Sequence, residues 1–164
     1  MAGSVDLNEI GILRRREIEA RILAPLVEAF AAEFGGERVL EVARRVIVEI
    51  ARAQGRELAE KVGANDLRTF AATKEPWTRN GALEIEVLRE NDREYDFNVT
   101  RCRYAELYRA LGIPELGALL SCNRDFALGE GFNPRMKLTR TRTIMEGAPH
   151  CDFRYRMEPP AVAP

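Results

Sequence analysis

The chain reads as an α+β protein: an antiparallel sheet of about four strands, arranged as two hairpins, packed against helices and preceded by a helical hairpin. Three observations predict this. Apolar residues recur at helical spacing up to about residue 75, strict alternation begins at Leu83, and alternation returns at Met136 after a second helical stretch. With 164 residues, 46% of them hydrophobic, the chain can fill one core and is too short for two comfortable domains. We therefore expect a single domain over 1–157, made of a helical part 6–75, a hairpin and helices 83–130 and a C-terminal hairpin 136–157. The Pro- and Ala-rich end, 158–164, reads as a disordered tail.

In chain order, Asp6 is a candidate helix cap. Ile18, Ile22, Leu26 and Phe30, flanked by Leu23, Val27 and Phe34, form the expected buried row of the first helix, with Pro25 as a kink and Gly35-Gly36 as its end. Val39, Val42, Val46, Ile47, Ile50 and Leu58 give the second helix its expected buried stripe. The outward faces are rich in Glu and Arg, which reads as solvated surface or as a self-association contact of the helical hairpin. A short helix starting at Asp66 turns Leu67, Phe70 and Ala71 inward. Leu83, Ile85 and Val87, then Tyr95, Phe97 and Val99, mark strands near 83–89 and 94–101, joined across the polar stretch 90–94. Two helices follow, from Cys102 to Leu111 and through Leu116, Leu120 and Phe126, and Gly129 to Pro134 reads as a flexible connection. The last strands are expected over 136–146 and 151–157, broken at Gly147-Ala148-Pro149.

Charge narrows the function classes. Lys plus Arg number 25 and Asp plus Glu 26, so no net field favours nucleic acid or an anionic membrane. The first residues lack the basic and apolar pattern of a secretory signal, and no run approaches a membrane span, so we expect a cytoplasmic protein. Three cysteines without a CxxC pair read as reduced thiols, each a core filler, a nucleophile or a ligand.

The candidate chemistry gathers in the second half. Alternation over 136–146 puts Arg140 on a strand face with aliphatic residues, and Arg101 continues the face of Phe97 and Val99. A buried guanidinium needs an acceptor, either an internal carboxylate or that of a substrate. Cys102 opens a helix, where the N-terminal field favours thiolate. Cys122 and Asp125, three apart, share a helix face. Cys151 points inward on the last strand, whereas His150, its neighbour, points the other way and reads as a turn residue. Asp125 and Asp152 each accompany a cysteine and are candidates for orienting or deprotonating something. A three-thiolate metal site completed by Asp125, Asp152 or His150 is chemically conceivable, but the spacings match no zinc pattern, so neither metal nor cofactor is expected. A small-molecule substrate is the expected partner.

The segments Phe97–Tyr108, Leu111–Gly117, Ser121–Asp125 and Leu138–Tyr155 resemble the signature blocks of the L-2-amino-thiazoline-4-carboxylic acid hydrolase family. Matching motif positions are Asn98, Thr100, Arg101, Cys102 and Tyr104, then Cys122 and Asp125, then Arg140, Thr141, Thr143, Glu146, Cys151, Asp152 and Arg154. Many relatives carry Cys where this chain has His150. The resemblance implies ring opening of a cyclic isothiourea to N-carbamoyl-L-cysteine, within a bacterial route to cysteine. On that reading Arg140 with Arg101 clamps the substrate carboxylate, and Asp125 or Asp152 holds the amidinium or activates water. Cys122 or Cys151 is the nucleophile of a covalent route, and Asn98, Cys102, Thr141, Thr143 and Arg154 contact substrate. A non-enzymatic binder of small carboxylates or rings and a Cys-ligated metal module are the rival classes.

Overall fold

The structure is a computed structural model and describes residues 9–160. The expected cap at Asp6 and the last four residues of the expected tail lie outside that range. Two long helices, α1 (Ile12–Phe34) and α2 (Gly36–Val62), turn into each other at Gly35, whose φ of 89° is the left-handed geometry that glycine supplies without strain. Short helices α3 (Leu67–Ala72) and α4 (Glu75–Thr78) lead into strands β1 (Leu83–Glu90) and β2 (Glu94–Cys102). Helices α5 (Arg103–Ala110) and α6 (Pro114–Gly117), a π-type turn over Ala118–Cys122 and helix α7 (Arg124–Phe132) separate them from β3 (Met136–Thr139) and β4 (Cys151–Met157). The sheet is antiparallel throughout in the order β1-β2-β4-β3, so the two hairpins lie side by side through β2 and β4.

Local chemistry explains several boundaries. The Asp66 carboxylate accepts from Thr69 N at 2.9 Å and Thr69 Oγ1 at 2.7 Å, which caps α3 as expected. Asn91 closes the first hairpin, its Oδ1 accepting from Arg93 N and Glu94 N at 2.9 and 3.0 Å. Register then places Phe97 opposite Phe153 and Tyr95 opposite Tyr155. The Phe97 and Phe153 rings stack at 4.7 Å, and with Phe70 and Phe132 they form the aromatic centre of the core. Beyond β4, Glu158 is still held, its N donating to Arg135 O at 2.8 Å.

Four expectations need correction. The row buried on α1 is Ile12, Arg16 and Ala20, whereas Ile18, Ile22, Leu26 and Phe30 stand about half exposed. On α2 the buried row is Ile47, Ala51 and Gly55, and Val42, Val46 and Ile50 are exposed. On α2 the small Ala51 and Gly55 allow a close helix approach that the larger apolar row does not, whereas on α1 the buried row carries Arg16, whose charge Glu19 satisfies. The third correction concerns 129–134, read as a flexible connection. Gly129, Gly131 and Phe132 belong to α7, and a Cβ on Gly131 would meet Arg52 O at 2.0 Å, while one on Gly55 would meet Leu128 O at 2.2 Å. These glycines bring α2 and α7 together backbone against backbone. Fourth, β3 ends at Thr139, and 140–150 form a loop in place of the expected longer strand. Asp152 takes the donors that would have continued the ladder, accepting from Thr141 N and Arg142 N at 2.9 Å each and from Thr141 Oγ1 at 2.6 Å.

Gly131→Ala tests the close approach. Helix propensity alone would favour alanine by about 1 kcal/mol. Against an immovable backbone carbonyl we expect overpacking to win, with a net loss of about 2 kcal/mol or more in urea unfolding. A neutral or stabilised variant would show that the helices do not pack this tightly.

Candidate active site

One cavity of about 500 Å³ lies between the inner face of the sheet and the helices. Its floor comes from β2 and β4 through Val99, Cys102, Cys151 and Phe153. Alternation turns Val99, Cys151 and Phe153 to the helix side, and a bulge at Thr100, skipped where Glu84 pairs with Arg101 and Ile85 with Val99, brings Cys102 back to that side. The π-type turn, in which Asn123 N donates to Ala118 O five residues back at 3.0 Å, delivers Ser121 and Cys122, and the first turn of α7 delivers Arg124 and Asp125. Arg140 enters from the loop after β3, and Arg16, Gln54 and Trp77 come from α1, α2 and α4.

The central contact is an ion pair. Arg140 Nη1 donates to Asp125 Oδ2 at 2.5 Å and its Nη2 to Cys122 O at 3.1 Å. The Arg140 side chain is 8% exposed and that of Asp125 30%, so the carboxylate keeps access to the cavity that it lines. Burial raises Asp125 above its ordinary range, with the charge and hydrogen bond of Arg140 and the charges of Lys74 and Arg124 pulling the other way. Burial is the largest single influence on Arg140 and acts to lower it, but the charge and hydrogen bond of Asp125 together with Cys122 and Cys151 offset it and leave the guanidinium raised.

All three cysteines line this cavity, and all three are held as thiols. Cys102 caps α5, its Sγ accepting from Ala105 N at 3.4 Å, yet burial pushes it up to about 11. The helix N-terminus is outweighed by desolvation, contrary to the expected reactive thiolate. Burial and then Asp125 raise Cys122 further. Cys151 is also raised by burial, although Ile144 N donates to its Sγ at 3.2 Å.

The remaining sequence candidates lie elsewhere. Arg101 is 52% exposed and paired with Glu106 at 2.9 Å and Glu84 at 3.4 Å, because the bulge at Thr100 reverses the alternation and turns Arg101 away from the face of Phe97 and Val99. Asp152 and Arg154 alternate to the opposite face of β4 from Cys151. Asp152 organises the loop, and Arg154 bonds Asn98 Oδ1 at 2.9 Å and Phe97 O at 2.9 Å. Thr141 is held by Asp152, and Thr143 closes a turn by donating to Glu146 Oε2 at 2.7 Å. Asn98, Arg101, Thr141, Thr143, Asp152, Arg154 and His150 are not among the residues lining this cavity. Among the described residues no three His, Cys, Asp or Glu side chains are grouped to hold a metal ion.

Sequence reasoning missed three basic residues. Arg16 sits between Ile12 and Ala20 at four-residue spacing, a row set aside because the neighbouring one is more apolar. Arg124 adjoins Asp125, and nothing in the helical pattern marks it as buried. Lys74 follows α3 and lays its Nζ 3.5 Å from the centre of the Phe70 ring, with Tyr95, Phe97 and Tyr155 within 6 Å. Phe70 and Lys74, four apart, were the available signal.

The class of protein is a four-stranded antiparallel sheet with helices over a largely apolar cavity into which three thiols and the Arg140–Asp125 pair project. A family model described as L-2-amino-thiazoline-4-carboxylic acid hydrolase matches residues 15–155, and the chain belongs to that family. A comparison with curated proteins returns no match. Among solved structures, the phenol-responsive sensory domain of the transcription activator PoxR, bound to phenol, is similar at a TM-score of 0.53 and 14% identity, over 83% of this chain and 73% of that one. A trafficking protein particle complex subunit 3 from Naegleria fowleri, covalently bound to palmitic acid, also reaches 0.53, at 12% identity over 88% and 96% of the two chains. Both likenesses concern the fold.

Lys74 provides a check on the electrostatics. Burial, opposed by Asp125, pushes it from 10.5 down to about 7. Between those values the unfolded chain binds more protons than the folded one, so stability rises with pH across the window. Lys74→Met removes the penalty. The variant should exceed the parent in melting temperature most at pH 7 and below, and the gap should shrink toward pH 10.5. A gap independent of pH would show that the ammonium is not desolvated.

Proposed function

We propose that the cavity is the site of a hydrolase that opens a small cyclic amidine or isothiourea ring. The reaction of L-2-amino-thiazoline-4-carboxylate to N-carbamoyl-L-cysteine is the model for it. The observation that carries the reading is the half-buried Asp125, held by Arg140 and raised by burial, in a cavity whose three thiols are neutral. A raised carboxylate is a stronger base than an exposed one and is poised for proton transfer nearer neutral pH.

The chemistry follows from carbon 2 of the ring, bonded to two nitrogens and the sulfur. Asp125 takes a proton from water as its oxygen adds to carbon 2. The carbon–nitrogen double bond opens as the water adds, and the ring nitrogen takes up the proton held by Asp125. The tetrahedral centre then collapses, the new hydroxyl becoming the carbonyl as the carbon–sulfur bond breaks, and the hydroxyl proton passes to the departing thiolate. Two products of bond change result, a ureido group and a thiol. Arg140 keeps Asp125 in place and in reach, and supplies positive charge beside the addition. The raised thiols favour water over a cysteine as nucleophile, since each would first have to be deprotonated against its burial. The Cys122 and Cys151 side chains then shape the pocket around the ring.

A thiol-release assay with L-2-amino-thiazoline-4-carboxylate and a panel of cyclic amidines tests this. Asp125→Asn should lower kcat by about 100-fold or more, while Cys122→Ala and Cys151→Ala each stay within about 10-fold of the parent. The acid limb of the pH profile should fall above the ordinary aspartate range and disappear in Asp125→Asn. Absence of release from every ring in the panel would sink the hydrolase reading, and loss of activity in a single cysteine variant equal to that of Asp125→Asn would return a covalent route.

A further inference from the structure

The cavity holds more buried positive charge than its one central ion pair explains. Arg16 and Arg124 both line it, and both are buried, at 6% and 8% exposure. They share one carboxylate, that of Glu19. Arg16 Nη1 donates to Glu19 Oε2 at 2.6 Å, while Arg124 Nη2 stands 3.8 Å from the same oxygen, too far for a hydrogen bond. Arg124 is otherwise fixed by Nε to Leu120 O at 2.7 Å and Nη1 to Gln54 Oε1 at 3.3 Å, both neutral acceptors. Two guanidiniums therefore face one anion. Arg124 Nη2 and the other nitrogens of Arg16 have no hydrogen-bond acceptor among the described residues.

Those nitrogens are not sealed off, since among the described residues the one buried side-chain nitrogen or oxygen without a partner is Asn123 Nδ2, and they are therefore open to an acceptor that enters the cavity. We propose that Arg16 and Arg124 form an anion subsite of this cavity, which takes the carboxylate of a small substrate whose ring lies against Asp125. Arg140 is less suited to that task, because Asp125 at hydrogen-bond distance already balances its charge, whereas the acceptors bonded to Arg124 are neutral. Arg124 adjoins Asp125 at the start of α7, so the anion subsite and the carboxylate base come from consecutive residues. The cavity then matches a molecule that carries a carboxylate on one side and an electrophilic ring carbon on the other: guanidiniums meet the carboxylate, and the ring carbon lies within reach of water activated by Asp125. Burial and the charge of Arg16 depress Arg124 to about 10, and a bound anion would relieve that repulsion. The identity of the ring rests on the hydrolase reading, whereas the subsite itself is a statement about charge.

The test uses two aromatic probes that cannot be ring-opened, 2-aminothiazole-4-carboxylate and 2-aminothiazole-4-carboxamide, which share a shape and differ in charge. By isothermal titration the parent should bind the carboxylate at least about 10-fold more tightly than the amide, a difference typical of one charge-assisted contact. Arg16→Gln should bring the two within about 2-fold, as should Arg124→Gln. Arg101→Gln, on the outer surface, should keep the preference. If Arg124→Gln does not fold, because it also loses the bond to Leu120 O, Arg16→Gln decides alone. No preference in the parent, including no binding of either probe, would overturn the subsite. So would a preference that survives Arg16→Gln and vanishes in Arg140→Gln. Because neither probe is turned over, the outcome is separate from the thiol-release assay: release without a charge preference removes the subsite alone, and preference without release removes the hydrolase reading alone.

Discussion

The pairing of Arg140 with Asp125 is the contact on which the rest of the site depends. It ties the loop after β3, which Asp152 holds out of the ladder, to the first turn of α7. Removing either partner would strand a buried charge, a larger loss than the pair itself contributes, because desolvation has already been incurred. The same geometry sets the chemistry. A carboxylate alone in such a cavity would be held protonated, and a carboxylate in water would be a weak base. With a guanidinium on one side and protein on the other, Asp125 remains able to ionise while staying more basic than usual.

Much of the fold is legible in the sequence because alternation and turn chemistry are local signals. The strands 83–89, 94–101 and 151–157 agree with the observed ones to within a residue, and the Asp66 cap and the 90–94 hairpin follow directly from side-chain chemistry. The helical face was misjudged for a physical reason. Hydrophobic spacing identifies a row that wants burial, whereas close packing of α2 on α7 selects the row of Ala51 and Gly55, and on α1 the buried row includes an arginine that hydrophobic spacing excludes. Gly131 misled in the same way: as a turn former it suggests a loop, and as a residue without a Cβ it permits the α2–α7 contact.

The site was half legible. Cys122, Asp125, Arg140 and Cys151 could be proposed from spacing and family resemblance, and they converge on the cavity together with Cys102. Asp152, Thr141, Thr143 and Arg154 carry motif positions too, but they shape the 140–150 loop and the outer face. A motif records what the fold needs as well as what the substrate touches. Arg16 and Arg124 were invisible for the opposite reason, being charged residues on rows where no single-sequence signal distinguishes a buried cation from a solvated one.

The account is tested most directly by the ionisation of Asp125 itself. Carbon-13 NMR of a protein with labelled aspartate carboxyls, assigned by Asp125→Asn, would follow that one group through pH. The account predicts a midpoint above the ordinary aspartate value of about 3.9, which the Arg140→Met variant would move higher still. A midpoint at or below that value would mean that the ion pair dominates burial, and that Asp125 is a structural anion rather than the base of this site.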